Sequence, residues 1–192
     1  MNKSIKIEPA IVSQPEPGMN KEGIIQQLRV NHQKFCEAVL LLTDEEFISR
    51  ANGKWTAGQQ LDHIYRSVNA LNLGLALPKF IIRLYAGKAN RPSKTYEALI
   101  AKYKLRLGAG GKAVGRFLPR EIGNKEKLSQ KEKLINAVES LCKKINRYSE
   151  PQLDYYILPH PLLGKLTIRE MLYFTIYHVE HHQNLTLKNL GK

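Results

Sequence analysis

His178 and His182 stand four residues apart in Tyr177-His178-Val179-Glu180-His181-His182-Gln183, and His63 closes the upstream run Gln59-Gln60-Leu61-Asp62-His63. On an α-helix, residues four apart differ by about 40° in azimuth and by one turn in height. Two imidazoles at that spacing can point into one space and share one cation. A third from a facing helix makes a three-ligand site with an open position, the arrangement of a catalytic metal centre rather than a closed structural zinc site. Imidazole ligation suits zinc, nickel and iron. His181, about 60° from His178 on the wheel, is able to replace either partner. His32 and His160 are weaker candidates, and Asp62 and Glu180 read as supporting or solvent-facing groups.

These histidines need elements to carry them, and the periodicity is helical throughout. Thr56-Ala57-Gly58-Gln59, Ser129-Gln130-Lys131-Glu132 and Thr167-Ile168-Arg169-Glu170 each match the capping-box pattern. Four long helices are expected, over about Lys21 to Leu42, Ala57 to Leu77, Gln130 to Tyr148, and Ile168 to Leu190. Strand signals are weak, with Tyr155-Tyr156-Ile157-Leu158 the best short run. Single apolar stripes must be buried against each other, which predicts an all-α, antiparallel four-helix bundle over residues 20–192.

Around His178 the wheel places Met171, Phe174, His182 and Leu185, with the stripe Leu172, Ile176, Val179 to one side. Around His63 it places Gln59, Ser67, Ala70 and Gly74, beside Ile64, Val68, Leu71 and Leu75. Small or polar neighbours leave room, as a cavity wall requires. Gln59, Ser67 and His181 are therefore candidates for the pocket around a metal.

A long connection, Pro78 to Ser129, separates the second and third helices. It holds an amphipathic piece from Thr95 to Leu107 and the turn Gly108-Ala109-Gly110-Gly111. A connection of that size is usually functional or mobile rather than a plain linker. From Lys79 to Lys133 fifteen Lys and Arg face four Glu, a local +11 within a chain of formal charge +13. Such charge favours anionic partners without choosing among them. A nucleic-acid-binding or stress-related regulatory module using this segment is the rival reading, although no zinc-finger or RNA-binding signature is present. Lys112 and Arg116, beside the glycine turn, are candidate anion-binding residues.

Other chemistries fail on spacing. A zincin needs His-Glu-x-x-His, and Glu180 follows His178 by two. The glycine turn lacks the first P-loop glycine, where Arg106 stands, and the Ser or Thr, where Ala113 stands. The 192 residues suit one domain behind a loosely held N-terminal arm, 1–19. That arm has no apolar signal core, and no apolar run is long enough to span a bilayer. Cys36 and Cys142 read as buried thiols. A reduced, cytoplasmic protein is the simplest expectation.

The run Gly53-Lys54-Trp55-Thr56-Ala57-Gly58-Gln59-Gln60-Leu61-Asp62-His63-Ile64 resembles the opening of the second helix in the DinB-like (YfiT-type) superfamily. Leu166 to Leu172, continued by His178-x-x-x-His182, resembles that superfamily's fourth helix. The resemblance implies a four-helix bundle with a divalent metal held by His63, His178 and His182. It further implies metal-dependent hydrolase or thiol S-transferase chemistry on a small molecule, with a low-molecular-weight thiol as one partner, and it leaves a homodimer open.

Overall fold

A computed structural model of the chain describes residues 18–50 and 53–192. The expected arm lies outside them, apart from Gly18 and Met19. The elements run α1 (Lys21–Leu40), α2 (Asp44–Ile48), α3 (Ala57–Ala76), α4 (Lys79–Ala86) and α5 (Tyr96–Gly108). Then come α6 (Lys127–Ile145), α7 (Glu150–Tyr155), β1 (Ile157–His160), β2 (Gly164–Thr167) and α8 (Ile168–Asn189). Short 3₁₀ turns occupy Gly115–Phe117 and Asn124–Glu126.

The four long helices touch in a ring, α1 against α6, α6 against α3, α3 against α8, and α8 against α1. Their apolar stripes meet in its centre. Leu28 and Phe35 of α1, Leu61 and Ile64 of α3, Leu134 and Leu141 of α6, and Leu172 and Ile176 of α8 are fully buried there.

Their directions correct the antiparallel expectation. Lys21 at the start of α1 meets Tyr148 and Glu150 beyond the end of α6, and Lys127 at the start of α6 bonds the Leu42 carbonyl beyond α1. That pair is antiparallel. In contrast, Asp62 meets Gln130 and Asn72 meets Ala137 and Lys144, so α3 and α6 run the same way. Arg169 bonds the Met19 carbonyl while Asn31 bonds Glu180, so α1 and α8 are also parallel. The physical reason lies in the long connection. After α3 the chain must return about 30 Å, the length of a 20-residue helix, before α6 can begin. Helix α5 makes most of that return. It packs along α8, Tyr96 against Tyr173 and then Tyr103 against Phe174 and Tyr177, and delivers the chain to the end where His178 and His182 stand.

The capping boxes at Thr56 and Thr167 form as expected, Thr56 Oγ1 accepting from Gln59 N and Thr167 Oγ1 from Glu170 N, both at 3.1 Å. The one at Ser129 does not. Ser129 lies inside α6, which grows directly out of the preceding 3₁₀ turn, and its hydroxyl donates to the Glu126 carbonyl at 3.0 Å. The strand signal is shifted. β1 begins at Ile157 and forms a hairpin with β2 in the register Ile157↔Thr167 to His160↔Gly164. Helix α7, with Pro151 in its first turn, takes up Tyr155.

Candidate metal centre

The hairpin, α3, α5, α8 and the loop after α5 enclose a cavity of 1130 Å³. Helix α3 presents a strip to it from Gln60 and His63 through Ser67 and Ala70 to Gly74, and α8 presents Met171, Phe174, His178, His181, His182 and Leu185. These are the faces beside the core stripes. A helix with a stripe already buried in the ring has only its adjacent face left to line a cavity.

His63, His178 and His182 converge there. Their nearest ring nitrogens all lie within 4.8 Å of one another. His178 Nε2 stands 3.2 Å from His63 Nε2 and 3.0 Å from His182 Nε2. His63 Nδ1 lies 2.7 Å from the Phe117 carbonyl oxygen, so that nitrogen carries the proton and Nε2 keeps its lone pair. His182 Nδ1 likewise donates to Gln60 Oε1, leaving its Nε2 lone pair facing the cluster. His178 is positioned by packing, its ring stacked on Phe174 with centroids 4.7 Å apart. The Trp55 ring covers the group, 5.0 Å from His63 and 6.2 Å from His182.

Burial pushes the His178 and His182 imidazoles well below the ordinary histidine range, and the neighbouring imidazoles push further the same way. Burial also lowers His63, against the Phe117 carbonyl and the Asp62 carboxylate, which raise it. Neutral imidazole is the ligating form. Metal–nitrogen bonds of 2.0–2.1 Å in tetrahedral geometry separate ligand nitrogens by about 3.3 Å. The spacings of 3.0 and 3.2 Å come close to that before any cation draws the rings into place. Two lone pairs of fixed tautomer aimed at a common point repel unless a proton or a cation lies between them. The donor set fits a divalent metal.

The remaining candidates divide. His181 lines the cavity with its ring 5.2 Å from His182 and 5.8 Å from Tyr103, outside the three-nitrogen cluster. Ser67 lines it too, its hydroxyl donating to the His63 carbonyl at 2.9 Å. Lys112 and Arg116 are exposed and also line it. Gln59 does not reach the cavity, because the capping box at Thr56 consumes its side chain. Gln60 is the residue that bonds a histidine. His160 faces the cavity, but its Nδ1 accepts from the Leu162 and Leu163 amides, both at 3.1 Å. His32 is buried away from the cavity on α1, donating to the Leu28 carbonyl. Glu180 turns to α1, where Asn31 bonds it at 2.6 Å and burial raises its carboxyl to about 7.

Asp62 is neither solvent-facing nor on the cluster. It is buried, accepting from Arg66 Nε at 2.5 Å, Arg120 N at 2.9 Å and Gln130 Nε2 at 3.1 Å. The Arg120 bond pins the loop that brings the Phe117 carbonyl to His63.

A family comparison matches the DinB superfamily over residues 27–185. The chain belongs to the DinB superfamily. Comparison with curated proteins and with solved structures returned no match. The DinB match covers α3 and α6 whole and most of α1 and α8, and it contains the three histidines. DinB-like proteins bind divalent metals, and a three-histidine cluster is what this member offers one.

Proposed function

We propose that this chain is a metal-dependent enzyme acting on a small molecule, with His63, His178 and His182 as its ligands and the ring of long helices as the superfamily's four-helix bundle. The carrying observation is the convergence of three neutral imidazoles in the wall of a 1130 Å³ cavity. A divalent cation held by neutral ligands keeps its full charge, and so acidifies a water or thiol placed against it.

This chain's residues then favour thiol S-transfer. The titratable side chains lining the cavity are the histidines, Tyr85, Tyr103, Lys54, Lys112, Arg116 and Lys188, with no carboxylate among the described residues. The cations would hold an anionic thiol, and the apolar wall would exclude water from the attacking sulfur. Hydrolysis is the second reading. His181, half-buried in the wall with its imidazole lowered by burial, could take the proton of an attacking water.

The basic segment supports a small-molecule reading over a nucleic-acid one. Arg91 and Lys94 pair with buried Glu170, Lys102 bonds the Leu163 carbonyl, Arg120 pairs with Glu126, and Lys127 bonds the Leu42 carbonyl. These five of the segment's fifteen Lys and Arg are thus engaged within the fold.

The test sets metal-loaded protein against an electrophile with several low-molecular-weight thiols, beside an ester and amide panel. Metal-dependent consumption of electrophile and thiol together is expected. Turnover confined to the esters would select hydrolysis, and none on either panel would overturn the enzyme reading.

A further inference from the structure

The cavity is larger than three imidazoles and one small thiol require, and its two ends differ. The three histidines, Trp55, Arg116 and Lys188 mark one end. Arg116 precedes Phe117, whose carbonyl holds His63, and Lys188 lies less than two turns beyond His182. Arg116 and Lys188 have no ion-pair partner among the described residues. Gly74 marks a point about 16 Å along α3 from His63, at 1.5 Å per residue. From there the lining is apolar. Leu158 forms the opposite wall, and Leu73, Leu77 and Tyr85 carry it out to the surface with relative exposures of 60%, 42% and 82%. Exposed apolar side chains continuous with a cavity wall mark a ligand path rather than ordinary surface.

We propose that this cavity binds an elongated amphipathic anion, an acyl-chain molecule whose anionic head lies at the histidine end and whose chain runs past Gly74 towards Leu77. The inference deepens the enzyme reading above by naming a substrate class for the same site. Gly74 is the narrow point. A Cβ placed there would meet Leu158 Cδ1 at 3.4 Å and Cδ2 at 3.6 Å, ordinary contact, so any atoms beyond a Cβ must push Leu158 aside or enter the path. Arg116 and Lys188, both exposed at the rim of that end, supply the head's counter-charge and draw an anion towards it.

Trp55 is the single tryptophan and lines the histidine end, so its fluorescence reports binding directly. Metal-loaded full-length protein is titrated with dodecanoate, butanoate and dodecylamine, all below their aggregation concentrations, with metal content measured on the same samples. Dodecanoate should bind at least tenfold tighter than either of the others. Gly74→Leu should weaken dodecanoate at least tenfold, and the Arg116→Ala/Lys188→Ala pair should narrow its margin over dodecylamine. Metal content and helicity should be unchanged in both. Should Gly74→Leu fold poorly, Ala70→Leu on the same strip makes the same test. Equal binding of dodecanoate and butanoate, or of dodecanoate and dodecylamine, would overturn the inference even with metal bound. Retained dodecanoate preference in protein that holds no metal would instead sustain it and remove the enzyme reading.

Discussion

The His63 imidazole donates from Nδ1 to the Phe117 carbonyl at 2.7 Å, and this bond ties the long connection to the metal end of the fold. It fixes the tautomer that leaves Nε2 free to ligate. Its acceptor is held in turn by the Arg120 amide on Asp62. Partners of this kind typically change metal affinity 10- to 100-fold when lost.

Asp62→Asn therefore should weaken metal binding about tenfold while all three ligands remain. It should also destabilise the fold by about 2 kcal/mol, since the buried carboxylate gives up its charge-assisted bonds from Arg66, the Arg120 amide and Gln130. Chelator competition and thermal melts read the two effects separately. Wild-type metal affinity in a destabilised variant would mean that the loop does not orient His63.

Gln60→Leu tests the second fixed tautomer. Without the Oε1 acceptor, His182 loses the partner that holds its proton on Nδ1. Metal affinity should fall 10- to 100-fold. Gln60→Glu, which keeps an acceptor at that position, should restore most of it. Equal loss in both variants would assign Gln60 a packing role only.

Glu170 should make the fold acid-sensitive at low pH. Burial alone would raise its carboxyl, but Arg91 and the Lys94 and Thr167 amides outweigh burial and hold it at about 2, below the ordinary 4.5. A lowered folded value means the unfolded chain takes the proton first. The contribution, about 3 kcal/mol at most, is complete above pH 4.5 and is lost as pH falls towards 2. Glu170→Gln should remove that pH dependence and lower stability at pH 7. Denaturant melts across pH 2–7 check it, and identical slopes in both proteins would contradict it.

His32 should act in a higher window. Burial lowers its imidazole to about 4, against the Leu28 carbonyl, and Nε2 has no partner among the described residues. The unfolded chain protonates first, so stability should decline from about pH 6.5 towards 4. His32→Leu should flatten that part of the profile. An unchanged decline would place its origin elsewhere.

Much of this was legible in the residues. The Thr56 and Thr167 boxes placed the starts of α3 and α8, and the histidine spacing placed the cluster. Ser129-Gln130-Lys131-Glu132 misled, because Ser129 stands one turn inside a helix that leaves a 3₁₀ turn without a side-chain cap. The parallel pairs α3/α6 and α1/α8 were hidden, since apolar stripes record which face is buried but not the direction of the neighbour. Gln60 carried a signal, three residues before His63 on the helix, while neighbouring Gln59 belonged to the cap. Phe117 carried none. It acts through its carbonyl, which every residue has, and only the loop's path brings it to His63.

Metal content is the direct measure of the central claim. Protein prepared without a histidine tag, incubated with zinc, nickel or manganese and freed of excess, should hold about one divalent ion per chain. His178→Ala should hold little, while His181→Ala, outside the cluster, should hold as much as wild type. Negligible metal in wild type and His178→Ala alike would contradict the account, as would loss in His181→Ala with retention in His178→Ala.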